Sequence, residues 1–142
     1  MDYGGDISAK ECWALLKGDP DSFLVDVRTT AEWAYVGVPA LEDSMKELLL
    51  QQWQVFPDMS VDPEFAAKLD RKLKQLGAGK NTKLCFLCRS GVRSLAAARA
   101  MTATGYKNTY NVSGGFEGDL DQYGHRGGRN GWKADGLSWQ QR

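Results

Sequence analysis

The hydrophobic positions of this 142-residue chain alternate between unbroken apolar runs and helically spaced ones, and each change of pattern marks an element. Phe23-Leu24-Val25-Asp26-Val27 and Leu84-Cys85-Phe86-Leu87-Cys88 are apolar almost without interruption, as in strands buried on both faces. Thr109-Tyr110-Asn111-Val112 reads as a shorter last strand. Between these runs the spacing is helical: Cys12, Leu15 and Leu16 share one face, Phe65, Leu69, Leu73 and Leu76 recur about every fourth residue, and Leu95 to Ala103 is alanine-rich. Strands alternating with helices predict an α/β fold, a mostly parallel central sheet with helices on both faces.

Local signals sharpen the boundaries. Ser8 with Glu11, and Thr29 with Glu32, fit the capping box, in which each side chain satisfies an orphan amide of the other's backbone, and Ile7 and Cys12 take the two staple positions. Asp62-Pro63 supplies a cap and a proline for the first helical position, while Gly18, Gly77-Ala78-Gly79 and Gly105 are stops. Gly37-Val38-Pro39 ends the helix that Thr29 opens, and Pro57-Asp58-Met59-Ser60 is turn-like. Met45 to Phe56 fits a strand plus an aromatic-bearing loop as well as a short helix, and periodicity does not choose. The glycine-rich residues 124–136 predict loop, with Phe116, Leu120, Tyr123, Trp132, Leu137 and Trp139 expected to anchor it. With no repeat or interdomain linker visible, residues 1–142 are expected to form one domain carrying a glycine-rich C-terminal segment at about 121–142.

Charge changes the picture little. Lys plus Arg and Asp plus Glu both count 18, which points away from nucleic acid and polybasic membrane contacts and toward small molecules or proteins. The acidic start lacks an apolar signal core and no stretch approaches the ~18 apolar residues of a membrane span, so a cytoplasmic protein with no membrane contact is expected. Three cysteines cannot all pair with one another, and a single histidine, His125, in the glycine-rich tail makes a zinc site a poor reading; neither metal nor cofactor is expected.

The chemistry concentrates in Lys83 to Ser94. Cys88 stands where a strand gives way to a helix, where several backbone N–H groups and the positive end of the helix dipole converge and favour a thiolate. The amides of Arg89, Ser90, Gly91, Val92 and Arg93, with the charges of Arg89 and Arg93, make a cradle for an anion. An oxyanion carrying a transferable sulfur would be held there for attack by Cys88, giving a persulfide from which a second thiophile collects the outer sulfur. Asp26 and Arg28 flank the end of another strand at the same sheet edge, and with Ser94 they are candidates for supporting the site; a structural ion-pair and capping network of Asp26, Arg28 and Glu32 is the competing reading.

These residues carry a resemblance. Leu24-Val25-Asp26-Val27-Arg28, Glu32-Trp33 and Gly37-Val38-Pro39 resemble the first signature of the rhodanese, or thiosulfate sulfurtransferase, family, one residue short because Val38 replaces a His-Ile pair. Cys88-Arg89-Ser90-Gly91-Val92-Arg93 resembles its active loop and Val112-Ser113-Gly114-Gly115-Phe116 its closing segment, so the likeness spans nearly the whole chain. Trp53 to Asp62 and Gly131 to Trp139 also look like features of some bacterial single-domain members. The resemblance implies a rhodanese-like domain that moves a sulfane sulfur from thiosulfate or a persulfide donor to cyanide, a thiol or a protein acceptor through a Cys88 persulfide. It makes Arg89 and Arg93 the residues that meet substrate charge, and Asp26 and Arg28 scaffold.

Three rivals remain. Dual-specificity phosphatases, which resemble that family in fold, use Cys-x5-Arg, but here Arg93 falls one place early and Ser94 stands at the arginine's position, leaving a smaller cradle without its transition-state cation and speaking against phosphatase or arsenate reductase activity. Cys85-Phe86-Leu87-Cys88 matches Cys-x-x-Cys, yet three residues along a strand span ~10 Å, beyond the ~7 Å a disulfide tolerates, so Cys85 is expected in the core. A non-catalytic sulfur carrier or interaction module is the third, against which stands the intact loop and nucleophile.

Overall fold

The computed structural model describes residues 3–41, 47–55 and 57–141. Five strands form one all-parallel sheet: β1 (Gly5–Ile7), β2 (Ser22–Asp26), β4 (Leu49–Leu50), β7 (Lys83–Leu87) and β8 (Asn108–Val112), in the spatial order β1-β8-β7-β2-β4. Four helices connect them: α1 (Ala9–Gly18), α2 (Thr30–Tyr35), α3 (Phe65–Gln75) and α4 (Val92–Ala103). Two short antiparallel pairs lie outside the sheet, β3 (Val38–Pro39) with β9 (Trp139–Gln140), and β5 (Gln54–Val55) with β6 (Ser60–Val61). The expected α/β class and parallel sheet are thus observed. No helix among the described residues is long and apolar enough to cross a membrane.

The unbroken apolar runs resolve into two faces with period two, as strand geometry requires. Phe23, Val25, Val27, Leu84, Phe86 and Cys88 face the core shared with α3 and α4, built from Phe65, Leu69, Leu73, Ala97, Ala98 and Met101. Leu24, Cys85 and Leu87 face the opposite core, where α1 contributes Ala9, Cys12 and Leu16 and the C-terminal segment contributes Phe116 and Trp132. Small side chains on α4 let that helix lie close on β7 and β8.

Both capping boxes form: Ser8 Oγ accepts from Glu11 N at 3.0 Å, and Thr29 Oγ1 from Glu32 N at 3.3 Å, each with the reciprocal glutamate bond. The Asp62 cap is displaced. Its carboxylate accepts from Glu64 N at 2.9 Å, but the helix starts only at Phe65, because a turn separates Pro63 from regular helix. Leu76, expected on the apolar face of α3, is the exposed C-cap.

The undecided stretch becomes β4 and β5 joined by loop among its described residues, while Met45 and Phe56 lie outside them. Strand β1 has no sequence signal of its own; three residues with glycine at the first position pair only with β8. The tail is anchored by fewer side chains than expected. Phe116 and Trp132 are fully buried and Leu137 packs beside them, whereas Leu120 and Tyr123 are 49% and 75% exposed. Strand β9, unforeseen in a glycine-rich tail, binds the chain end to the Gly37-Val38-Pro39 turn.

Candidate active site

Cys88 directly follows β7, the middle strand, so it stands at the carboxyl edge of the sheet between the ends of β2 and β8. Its loop is only Cys88 to Gly91 long before α4 begins. Gly91, with φ +109°, turns the backbone so that its N–H donates to Cys88 Sγ at 3.1 Å; a Cβ there would run into the Ser113 carbonyl. Ser94, one turn into α4, places its buried Oγ 3.2 Å from the same sulfur.

The loop is gripped from beneath by the segment after β8. Phe116 N donates to Cys88 O at 2.8 Å, and Glu117 N and Gly118 N both donate to Arg89 O at 3.0 Å. Gly115, at φ +66°, lets this segment approach the Arg89–Ser90 peptide so closely that a side chain would collide with it. The glycine pair noted in the sequence is therefore the floor of the active loop.

Glu32 and Arg93 supply the main electrostatic feature. Arg93 Nη1 and Nη2 donate to Glu32 Oε1 and Oε2 at 2.7 and 2.9 Å, a bidentate pair with side chains only 16% and 20% exposed. Burial pushes the Glu32 carboxyl up, but the Arg93 bonds and charge, with the Thr29 amide and hydroxyl, outweigh it and hold the group below the usual glutamate range. The Glu32 bond raises the Arg93 pKa against desolvation, with help from Glu32, Cys88 and Asp26 charge. Glu32 caps α2 as the sequence predicts, but its ion-pair partner is Arg93, 61 positions away, and not Arg28.

Asp26 and Arg28 form the other half of that expected network. Arg28 Nη2 lies 2.7 Å from Asp26 Oδ2 and donates to Gly37 O at 2.7 Å, both side chains are fully buried, and the guanidinium stacks 4.3 Å from the Phe116 ring centroid. They tie β2 to the turn before β3 and to the C-terminal segment, and do not line the space above Cys88.

That space is a cavity of about 1040 Å³ lined by Cys88, Glu32, Arg89, Ser90, Val92 and Arg93 and by residues for which the sequence suggested no role at the site. Met59 enters from the β5–β6 hairpin, and Glu117, Leu120, His125 and Arg126 enter from the glycine-rich segment, which therefore overhangs the loop. His125, the single histidine of the glycine-rich tail, belongs to this wall. The segment is held by backbone: Asp121 Oδ1 accepts from Tyr123 N and His125 N at 2.9 Å, and Arg126 Nη1 donates to Gly118 O at 2.6 Å. No periodicity could have announced these contacts, since they depend on where a loop folds back.

Cys85 turns away from Cys88 into the opposite core, where it contacts Cys12; the hydrogen bond between the two thiols, then burial, pushes the Cys12 thiol well up. Alternation along β7 separates the two members of Cys-x-x-Cys onto different faces of the sheet, which removes the dithiol reading.

The model of the STR4 middle domain matches residues 4–142. A Rickettsia rickettsii protein, the RP600 homolog, is 38% identical over 94% of this chain and 95% of its own. The crystal structure of Rv0390 from M. tuberculosis superposes with a TM-score of 0.88 at 41% identity, covering 99% of this chain and 100% of that one. The chloroplast protein THYLAKOID RHODANESE-LIKE of Oryza sativa is 28% identical over 95% of this chain, which spans 25% of that larger protein.

Proposed function

The chain belongs to the STR4 middle-domain family and has a rhodanese-like fold, and from that premise and the geometry of Cys88 we propose that it is a sulfurtransferase working through a Cys88 persulfide. One observation carries the reading: a cysteine sulfur held by the Gly91 amide at the end of the central strand, inside a loop with four residues between Cys88 and Arg93. That loop fits a sulfur atom better than a phosphoryl group.

In the first half-reaction the Cys88 thiolate attacks the outer sulfur of thiosulfate. A new S–S bond forms to Sγ, the S–S bond of thiosulfate breaks, and sulfite leaves with its electron pair. Arg89, exposed at the mouth, and the N-terminal amides of α4 offset the charge of the donor, while the Arg93 charge is largely taken by Glu32. In the second half-reaction cyanide or a thiolate attacks the outer sulfur and Cys88 leaves as thiolate. The cavity is far larger than thiosulfate, leaving room for a donor or acceptor sulfur borne on a larger molecule, including a peptide segment of a partner protein.

The test is steady-state formation of thiocyanate from thiosulfate and cyanide, with an aryl phosphate assayed in parallel. Turnover of thiosulfate that vanishes in Cys88→Ser is expected. Hydrolysis of the aryl phosphate without sulfur transfer would overturn the reading.

A further inference from the structure

Behind Cys88 runs a polar chain that the sulfur-transfer scheme does not use, buried at Cys88, Ser94 and Asn111 and reaching the surface at Asp6. Ser94 Oγ lies 3.2 Å from Cys88 Sγ and 2.5 Å from Asn111 Oδ1, and Asn111 Nδ2 donates to Asp6 Oδ1 at 3.1 Å and to Gly91 O at 3.2 Å. Ser94 and Asn111 are both buried. Each hydrogen in this chain can be placed by counting donors.

The Asp6 carboxylate and the Gly91 carbonyl are acceptors only, so the Asn111 atom facing them is the amide nitrogen and the atom facing Ser94 is the oxygen. Ser94 has a single hydroxyl proton, which the short bond to Asn111 Oδ1 takes. Toward Cys88 the hydroxyl then offers only a lone pair, so the contact to Sγ needs a proton from sulfur. The Gly91 N–H approaches Sγ from elsewhere and asks for the opposite, a lone pair on sulfur.

We propose that Asn111 is a positioning residue that holds the Ser94 hydroxyl as an acceptor toward Cys88, so that Cys88 rests as a thiol donating to Ser94. When the sulfur loses its proton to solvent, or becomes the bridging sulfur of a persulfide, it has nothing left to donate. The Ser94 O–H then turns from Asn111 Oδ1 to Sγ, and Asn111 Oδ1 is left without its partner. Asn111 therefore opposes loss of the Cys88 proton, and Asp6, which accepts from Nδ2, keeps the amide from flipping. The charged and titratable groups around Cys88 are Glu32 on α2, Arg89 in the loop, Arg93 on α4, and Glu117, His125 and Arg126 from the C-terminal segment; Asp6 acts from β1 through Asn111. Among the described residues the hydrogen-bond partners of Sγ are Gly91 N and Ser94 Oγ.

This inference rests on Cys88 as the reactive group of the proposed function, but its test reads the Cys88 proton and not sulfur transfer, so the two fail separately. Iodoacetamide alkylation of Cys88, followed by tandem mass spectrometry against pH, gives the pH of half-maximal rate; Cys12 and Cys85 are fully buried, Cys12 lies in a different peptide, and fragment ions distinguish Cys85 from Cys88 in the peptide they share. Asn111→Ala should lower that pH by about one unit, a tenfold change in the proton equilibrium, and should have almost no effect when Ser94→Ala is already present. Equal shifts in both backgrounds, or none in either, would overturn the proposal, because a purely structural role for Asn111 does not depend on the Ser94 proton. A second measurement leaves Asn111 intact. The Raman S–H band of Cys88, isolated as the difference between the unsubstituted protein and Cys88→Ser, should move to higher frequency in Ser94→Ala as the sulfur loses its acceptor; an unmoved band contradicts the assignment, and this comparison decides alone if Asn111→Ala does not fold.

Discussion

Replacing Glu32 by glutamine removes one charge from the wall of the site while keeping the shape of the side chain. Glu32 Oε1 accepts from Thr29 N, Thr29 Oγ1 and Arg93 Nη1 at 3.2, 3.1 and 2.7 Å, and Oε2 accepts from Arg93 Nη2 at 2.9 Å. A glutamine oxygen keeps the first set, including the α2 capping box, but its NH2 then faces the Arg93 Nη2 donor. One charge-assisted bond is lost and two donors are brought together, so Glu32→Gln should cost about 1–2 kcal/mol of stability. Its effect on chemistry should have the opposite sign. Arg93 is released toward the cavity, and a unit charge several ångströms from an anion, at an effective dielectric between the surface and bulk-water limits, is worth about 1–2 kcal/mol. The kcat/KM for thiosulfate should therefore rise about 5- to 30-fold, while that for a neutral organic persulfide donor should change less than about twofold. Arg93→Ala should do the reverse, lowering thiosulfate use far more than use of the neutral donor. Parallel kinetics with both donors give the answer. A fall for thiosulfate in Glu32→Gln, or equal changes for both donors, would refute the electrostatic assignment of this pair.

Three further outcomes follow from the packing. Arg28→Ala leaves the fully buried Asp26 side chain without its partner, so chemical denaturation should show a loss of about 3–5 kcal/mol, much of it recovered in a double variant that also replaces Asp26 by an apolar residue. Asp70 is held well below the usual carboxylate range by hydrogen bonds from Tyr106 Oη at 2.5 Å, then Lys74 and Lys80. Because that pKa is depressed by folding, the stabilisation is present above about pH 4 and lost as pH falls below it. Asp70→Asn should accordingly lower Tm at pH 7, with the gap to the unsubstituted protein closing toward pH 2; a gap independent of pH would be evidence against the assignment. Gly115→Ala places a Cβ against the Arg89–Ser90 peptide at positive φ, so sulfur loading should drop at least about tenfold in a folded protein, and retained loading would show that the loop does not need this floor.

What could be read from the chain was what local rules govern. Both capping boxes, the two doubly buried strands and the alanine-rich helix were legible because each rests on neighbours within a turn or on period two. The Cys88 loop was legible because a strand, a thiol, a glycine and a helix start occur in immediate succession. Contacts set by tertiary return were not: Glu32 with Arg93, Ser94 with Asn111, and the overhang of His125 and Arg126 join residues from separate elements or a folded-back loop. The expected anchors Leu120 and Tyr123 illustrate the same limit, since an apolar residue in a glycine-rich segment packs inward or faces a cavity according to where the backbone turns.

Intact-mass spectrometry after brief exposure to thiosulfate tests the central claim most directly. The account predicts a gain of one sulfur atom on the unsubstituted protein, removed by cyanide or a thiol and absent in Cys88→Ser. A folded protein that gains no mass, or a gain that survives in Cys88→Ser, would contradict it.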